Sequence, residues 1–163
     1  MASPAKENTL VLETTQGRVV IELRPDLAPN HVARIKELAN QKFYDGVVFH
    51  RVIDGFMAQT GDPTGTGRHG SGKNLKAEFS KEPHVRGVAS MARANHPDSA
   101  DSQFFICFDD ATFLDGKYTV WGKVTDGMDL GINGYHHVKL DGKVIYGQAW
   151  VDVTKDNMAE YPF

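Results

Sequence analysis

The chain has 163 residues and a formal net charge of −3, from 18 Lys and Arg against 21 Asp and Glu. This length suits one domain with one sizeable core, and 40% hydrophobic beside 24% charged residues excludes a disordered chain. An acidic balance argues against a general nucleic-acid or anionic-membrane binder, both of which need a basic excess, and no apolar run is long enough to span a bilayer.

The first eight residues are polar and are expected to fray. They contain no apolar stretch of signal-peptide length, which points to a cytoplasmic protein. Residues 10–12 and 19–23 are short runs rich in branched apolar side chains, and Thr14-Thr15-Gln16-Gly17 between them reads as a hairpin connection. Pro29 suits the first turn of a helix, and Val32, Ile35, Leu38 and Ala39 follow at helical spacing, so a helix is predicted from Pro29 to about Asn40. Residues 47–53 (VVFHRVI) and 56–60 (FMAQT) read as strands separated by the Asp54-Gly55 turn signal. Residues 61–73 form a glycine-rich loop, and residues 88–92, 103–108 and 118–124 read as further strands. Many short strands with little helix predict an all-β fold, an antiparallel barrel or sandwich.

Several catalytic constellations can be weighed against these elements. The loop contains G-x-G-x-x-G at residues 65–70 and G-x-x-x-x-G-K at 67–73, but Asn74 stands where a phosphate loop needs Ser or Thr. Both motifs must also run into a helix, and LKAEFSKEPHVRG has weak helical periodicity and a proline, Pro83, so a surface loop is predicted. Seven histidines show no metal-ligand spacing; His31, His69, His84 and His96 are expected to be solvated. No metal and no cofactor is predicted. Ser90 and Ser102 lack both a nucleophile elbow and a neighbouring base in sequence, although triads assemble in space. Cys107 is the only cysteine, which excludes an intrachain disulfide, and within FFICF it reads as a small buried hydrophobe.

A different pattern carries more information. Period two puts Arg51 on the face of Phe49, Gln59 on that of Met57, and Gln103 on that of Phe105. Polar side chains recurring among large apolar ones on three strands predict a mixed cleft for a peptide or small ligand, with apolar walls for affinity and fixed donors for orientation.

The segments FHRVIDGFMAQTGDPTGTG (49–67), GVASMARA (87–94), SQFFI (102–106) and FLDGKYTVWGKV (113–124) resemble the cyclophilin-type peptidyl-prolyl isomerases, bacterial members most of all. The likeness runs in order from about Leu10 to Met128. It implies a closed eight-stranded antiparallel β-barrel capped by one or two helices, as one domain over 1–163 with a divergent tail at 129–163. It implies cis–trans isomerisation of X–Pro bonds, assisting protein folding, with Arg51 as the catalytic arginine and Gln59 beside it; we infer from this placement that Gln59 orients Arg51. Phe56, Met57, Phe105 and Leu114 would form the proline pocket, Ala92 and Ala94 the groove for the substrate backbone, and Gln103 a donor or acceptor to that backbone. Phe113 stands where many members have tryptophan, which implies weak cyclosporin binding, and Tyr118 stands where many have histidine. Arg93 replaces an asparagine. The implied partners are proline-containing peptides and unfolded or folded protein clients, with no nucleic acid and no membrane, and the chain is expected to be monomeric. A proline-peptide binding module without useful catalysis and a nucleotide-binding protein are the alternative readings. Four glycines at 131, 134, 142 and 147 predict that a second helix is shortened or missing, and alternation over 149–154 predicts a closing strand.

Overall fold

A computed structural model describes residues 8–128 and the backbone of residues 139–145. Its strands in chain order are β1 (Thr9–Thr14), β2 (Gly17–Leu23), β3 (Val47–Val48), β4 (Arg51–Ile53), β5 (Met57–Thr60), β6 (Val88–Met91), β7 (Phe104–Cys107), β8 (Val120–Asp126) and β9 (Lys139–Ile145). Helix α1 (Pro29–Asn40) follows β2 in the chain and is the only α-helix among the described residues. The strands form one sheet in the order β3-β9-β1-β2-β8-β6-β7-β5-β4, antiparallel at every pairing.

The helix, the first hairpin and the mainly-β composition follow the sequence reading. Two details of the sheet do not. The strand expected over residues 47–53 is two strands at opposite ends of the sheet, which has nine strands among the described residues. The break falls at Phe49 and His50: the Phe49 ring is buried in the core, whereas Arg51 lies exposed two residues later. A strand, β9, also occupies part of the segment for which a reduced helix was predicted, and it pairs with both β1 and β3. The strand expected over 149–154, and most of the segment of the second helix, lie outside the described residues.

Alternation decides which side chain meets which layer. Along β2, Val19, Ile21 and Leu23 are buried while Arg18, Val20 and Glu22 face outward. In α1, Val32, Ile35, Leu38 and Ala39 form the buried stripe, which packs into one core with Leu10, Leu12, Tyr44, Phe104, Ile106 and Trp121. The rings of Tyr44 and Trp121 both meet Phe104 edge to face, with centroids 5.5 and 5.2 Å away. The other face of β5 and β7 supplies a second, smaller cluster: Met57, Phe105 and Cys107 with Val88, Leu114 and Val120. The candidate site lies against this second cluster.

Helix α1 begins without a side-chain cap of its own, because Ala28 precedes Pro29. The Glu78 carboxylate substitutes from a distant loop, accepting the Asn30 and His31 backbone N–H groups at 3.0 Å each. Its second oxygen also meets His31 Nδ1 at 2.6 Å. An anion at the exposed N–H groups satisfies both hydrogen bonding and the helix dipole.

Candidate active site

Strand register assembles the candidate site. Residues directly opposite in an antiparallel ladder project on the same face of the sheet. Arg51 on β4 pairs with Gln59 on β5, Gln59 with Phe105 on β7, and Phe105 with Ser90 on β6. One cross-strand row therefore reads Arg51, Gln59, Phe105, Ser90. The next row places Ile53, Met57 and Cys107 together. The row explains how polar and apolar groups come to share a face that no linear segment displays.

A cavity of about 140 Å³ opens over this row. Arg51, Gln59, Phe56, Met57, Phe105, Leu114 and Tyr118 line it, with Ala92 and Arg93 at one side. Its floor is aromatic: Tyr118 meets Phe105 edge to face at 5.8 Å. Arg51 is exposed and forms no ion pair among the described residues. Its guanidinium is not used up as a structural brace.

A second cavity of about 320 Å³ adjoins the first and shares Gln59, Ala92 and Arg93 with it. Ala94, Gln103, Arg68 and His69 are among its lining residues. The sequence-predicted residues thus divide. Eight of them surround the smaller cavity, while Ala94 and Gln103 belong to the larger. Phe113 lines neither; it is 63% exposed, with its ring 5.6 Å from that of Phe56.

The hydrogen bonds between the cavities differ from the expectation for Gln59. Gln59 donates from Nε2 to Gln103 Oε1 at 2.9 Å, and Gln103 donates in turn to the His69 carbonyl at 2.9 Å. No hydrogen bond joins Gln59 to Arg51 among the described residues, although the two are paired across the ladder. The Ala92 N–H donates to the Gln103 carbonyl at 3.0 Å, which fixes the groove segment to the same residue.

The glycine-rich loop is closed around a carboxylate, not prepared for a phosphate. Asp62 accepts the backbone N–H groups of Thr64, Arg68 and His69 and the hydroxyls of Thr64 and Thr66. Burial would raise the Asp62 pKa, but these donors outweigh it and hold the carboxyl well below the usual carboxylate range. The residues after the loop form no helix. A fixed anion inside the turn and no helix N-terminus beyond it remove the nucleotide reading.

Two histidines expected at the surface are buried. His31 pairs with Glu78, as described. His84 lies behind the row, with Nδ1 3.0 Å from Asp115 Oδ1 and Nε2 2.9 Å from Ser90 Oγ. Its ring stacks on Phe105, centroids 6.1 Å apart. For both, burial lowers the pKa, against the raising effect of the neighbouring carboxylate. The partners are 47 and 31 residues away in sequence, so no local pattern could have revealed them. Ser90, His84 and Asp115 have the connectivity of a catalytic triad, but Ser90 and His84 are wholly buried and Ser90 Oγ also donates to the Thr119 carbonyl at 3.0 Å. This array braces the cavity floor and presents no nucleophile to solvent. Cys107 is likewise buried, and burial pushes its thiol up to about 12.

Comparison with known proteins completes the picture. The profile of the family described as cyclophilin type peptidyl-prolyl cis-trans isomerase/CLD matches residues 9–151, beyond the point at which recognisable motifs end. A Brucella suis relative is 56% identical over 135 residues, covering 76% of this chain and 69% of its own length. Peptidyl-prolyl cis-trans isomerase B of Bacillus subtilis is 46% identical over 119 residues, covering 72% and 82%. The crystal structure of a Cryptosporidium parvum cyclophilin type peptidyl-prolyl cis-trans isomerase, determined in the presence of the dipeptide Ala-Pro, is similar with a TM-score of 0.78 at 29% identity, covering 86% of this chain and 99% of that one.

Proposed function

The chain belongs to the cyclophilin-type peptidyl-prolyl cis-trans isomerases, and we propose how its own residues perform that isomerisation. Rotation about a peptide bond must overcome about 18–20 kcal/mol of amide resonance. No covalent bond breaks, so the protein needs to hold the ring and favour the twisted amide. The proline ring enters the cavity of about 140 Å³ between Phe56, Met57, Phe105 and Leu114. As the amide twists, its nitrogen becomes pyramidal and basic. Arg51, which lies at one end of the row and is unpaired, donates an N–H to that nitrogen and stabilises it where the lone pair develops. Arginine suits this because it stays charged and its fork is rigid. Gln59 and Gln103 act as one hydrogen-bonded pair that holds the substrate backbone beside Ala92 and Ala94.

The observation that carries this reading is the register row, which sets an unpaired guanidinium beside an aromatic cavity. Turnover of an Ala-Pro peptide tests it. Arg51→Ala should lower kcat/KM by about 10²–10³-fold, the scale of removing one preorganised donor, and Arg51→Lys should recover part of the loss. A folded Arg51→Ala protein with near wild-type turnover would remove Arg51 from the mechanism.

Proline-containing peptides and protein clients are the substrates. Weak cyclosporin binding is the expectation that goes with Phe113, at a position where many members have tryptophan. Two facts support closure of the sheet into a barrel: only residues 49 and 50 separate its end strands β3 and β4, and the Thr60 hydroxyl of β5 donates to the Val48 carbonyl of β3 at 2.8 Å. The described residues contain no helix long and apolar enough to cross a membrane, and the proposed setting is the cytoplasm, as a monomer.

A further inference from the structure

The larger cavity has a charge that the overall acidic balance conceals. Its cationic side chains are Arg68 and Arg93, and its one carboxylate is Asp101. Asp101 is already committed: its oxygens accept the Ser71 N–H at 2.8 Å, the Ser71 hydroxyl at 2.5 Å and the Gly72 N–H at 2.9 Å. Neither arginine forms a salt bridge among the described residues.

Arg93 is also held in place. Its Nε donates to the Lys117 carbonyl at 2.9 Å, and one Nη donates to the Ala94 and Asn95 carbonyls at 2.9 and 3.2 Å. Its guanidinium lies 4.8 Å from the Tyr118 ring centroid and 5.9 Å from that of Phe79, which is 40% exposed. These contacts use Nε, one Nη and the faces of the guanidinium. The other Nη has no partner among the described residues. Arg68 is positioned less tightly, through its backbone N–H on the Asp62 carboxylate. A fixed cation loses little side-chain entropy when it meets an anion, which is what a recognition residue requires.

Arg93 borders both cavities. Consecutive residues of an extended peptide are about 3.3–3.6 Å apart, so a side chain within two residues of the bound proline reaches it. We propose that Arg93, with Arg68, is a specificity determinant selecting an acidic side chain, Asp or Glu, beside the X–Pro bond. The inference rests on the assignment of the smaller cavity to the proline ring.

The test is kcat/KM for a series of Ala-Pro peptides carrying Glu, Gln or Lys at each of the two positions on either side of the pair. On one flank Glu should be preferred over Lys by about five-fold, the strong end for an exposed ion pair. The preference should shrink in 1 M salt, where screening is nearly complete beyond about 3 Å. It should fall towards one in the doubly substituted R68Q/R93Q protein, whatever that protein's absolute activity. Equal use of Glu and Lys at all four positions by an active wild type would overturn the proposal, as would a preference that survives in R68Q/R93Q. A wild type inactive on every peptide, neutral ones included, would defeat the isomerase mechanism instead; binding of the same peptides by calorimetry then decides the acidic preference by the same criterion.

Discussion

Gly61 shows how a single residue without a side chain shapes the site. It follows β5 with φ +96°, in the left-handed region that other residues enter at a cost. A Cβ there would collide with the Ser102 carbonyl oxygen and stand 2.8 Å from Gln103 Cα. The close approach is locked by the Ser102 hydroxyl, which donates to the Gly61 carbonyl at 2.8 Å, and by Tyr44, whose phenol donates to the Ser102 carbonyl at 2.9 Å. Gln103 is therefore held beside Gln59 by a contact that only glycine permits. Gly61→Ala should destabilise the protein by about 2–4 kcal/mol through backbone strain and overpacking, read from the urea midpoint, and should also lower turnover by displacing Gln103. An unchanged midpoint would show that the backbone relaxes freely at this point.

At the scale of elements, helix α1 and the row of strands depend on loops more than their own sequences suggest. The helix has good internal periodicity, yet the acceptor for its first N–H groups is Glu78, 48 residues from Asn30. Glu78 in turn is tied to the loop before β8, since its backbone N–H donates to the Thr119 hydroxyl at 2.9 Å. Glu78 thus joins the helix start, through its carboxylate, to the loop before β8, through its backbone N–H. Glu78→Ala should cost about 1–3 kcal/mol, from the lost cap and from His31 left buried without its partner. Equilibrium urea unfolding measures this, and a loss under 0.5 kcal/mol would mean that water replaces the carboxylate fully.

For the whole molecule, the buried histidines and loop carboxylates set the response to acid. Burial lowers the pKa of His31, His50 and His84, so the unfolded chain takes up protons before the native protein does. Stability is then full above the ordinary histidine pKa, about 6.5, and is lost as pH falls below it. Asp62, Glu78 and Asp115 also have lowered pKa values; their contribution is present above the ordinary carboxylate range and is lost below it. The two effects have the same sign. Tm should fall steadily from pH 7 to pH 3, with the first decline beginning near pH 6.5, and His84→Gln should flatten that first decline. A Tm that is constant or rising between pH 7 and pH 5 would contradict the burial of these rings.

The sequence by itself determined the hairpin, the helix from Pro29 to Asn40, the mainly-β character and, through the motifs at residues 49–67, 87–94, 102–106 and 113–124, the family. These are local or near-local properties: periodicity, turn residues and contiguous segments express them directly. The face shared by Arg51, Gln59 and Phe105 was half legible, because period two gives the side on which a residue lies but not the strand it meets. Only the tertiary structure decided the rest. It split residues 47–53 between the two ends of the sheet, joined Gln59 to Gln103, and buried His31 and His84 against carboxylates 47 and 31 residues away. It also turned Arg93 from an isolated departure into a clamped cation between two cavities. Each of these depends on strand order and register, and those are set by the packing of the whole chain, which no window of sequence contains.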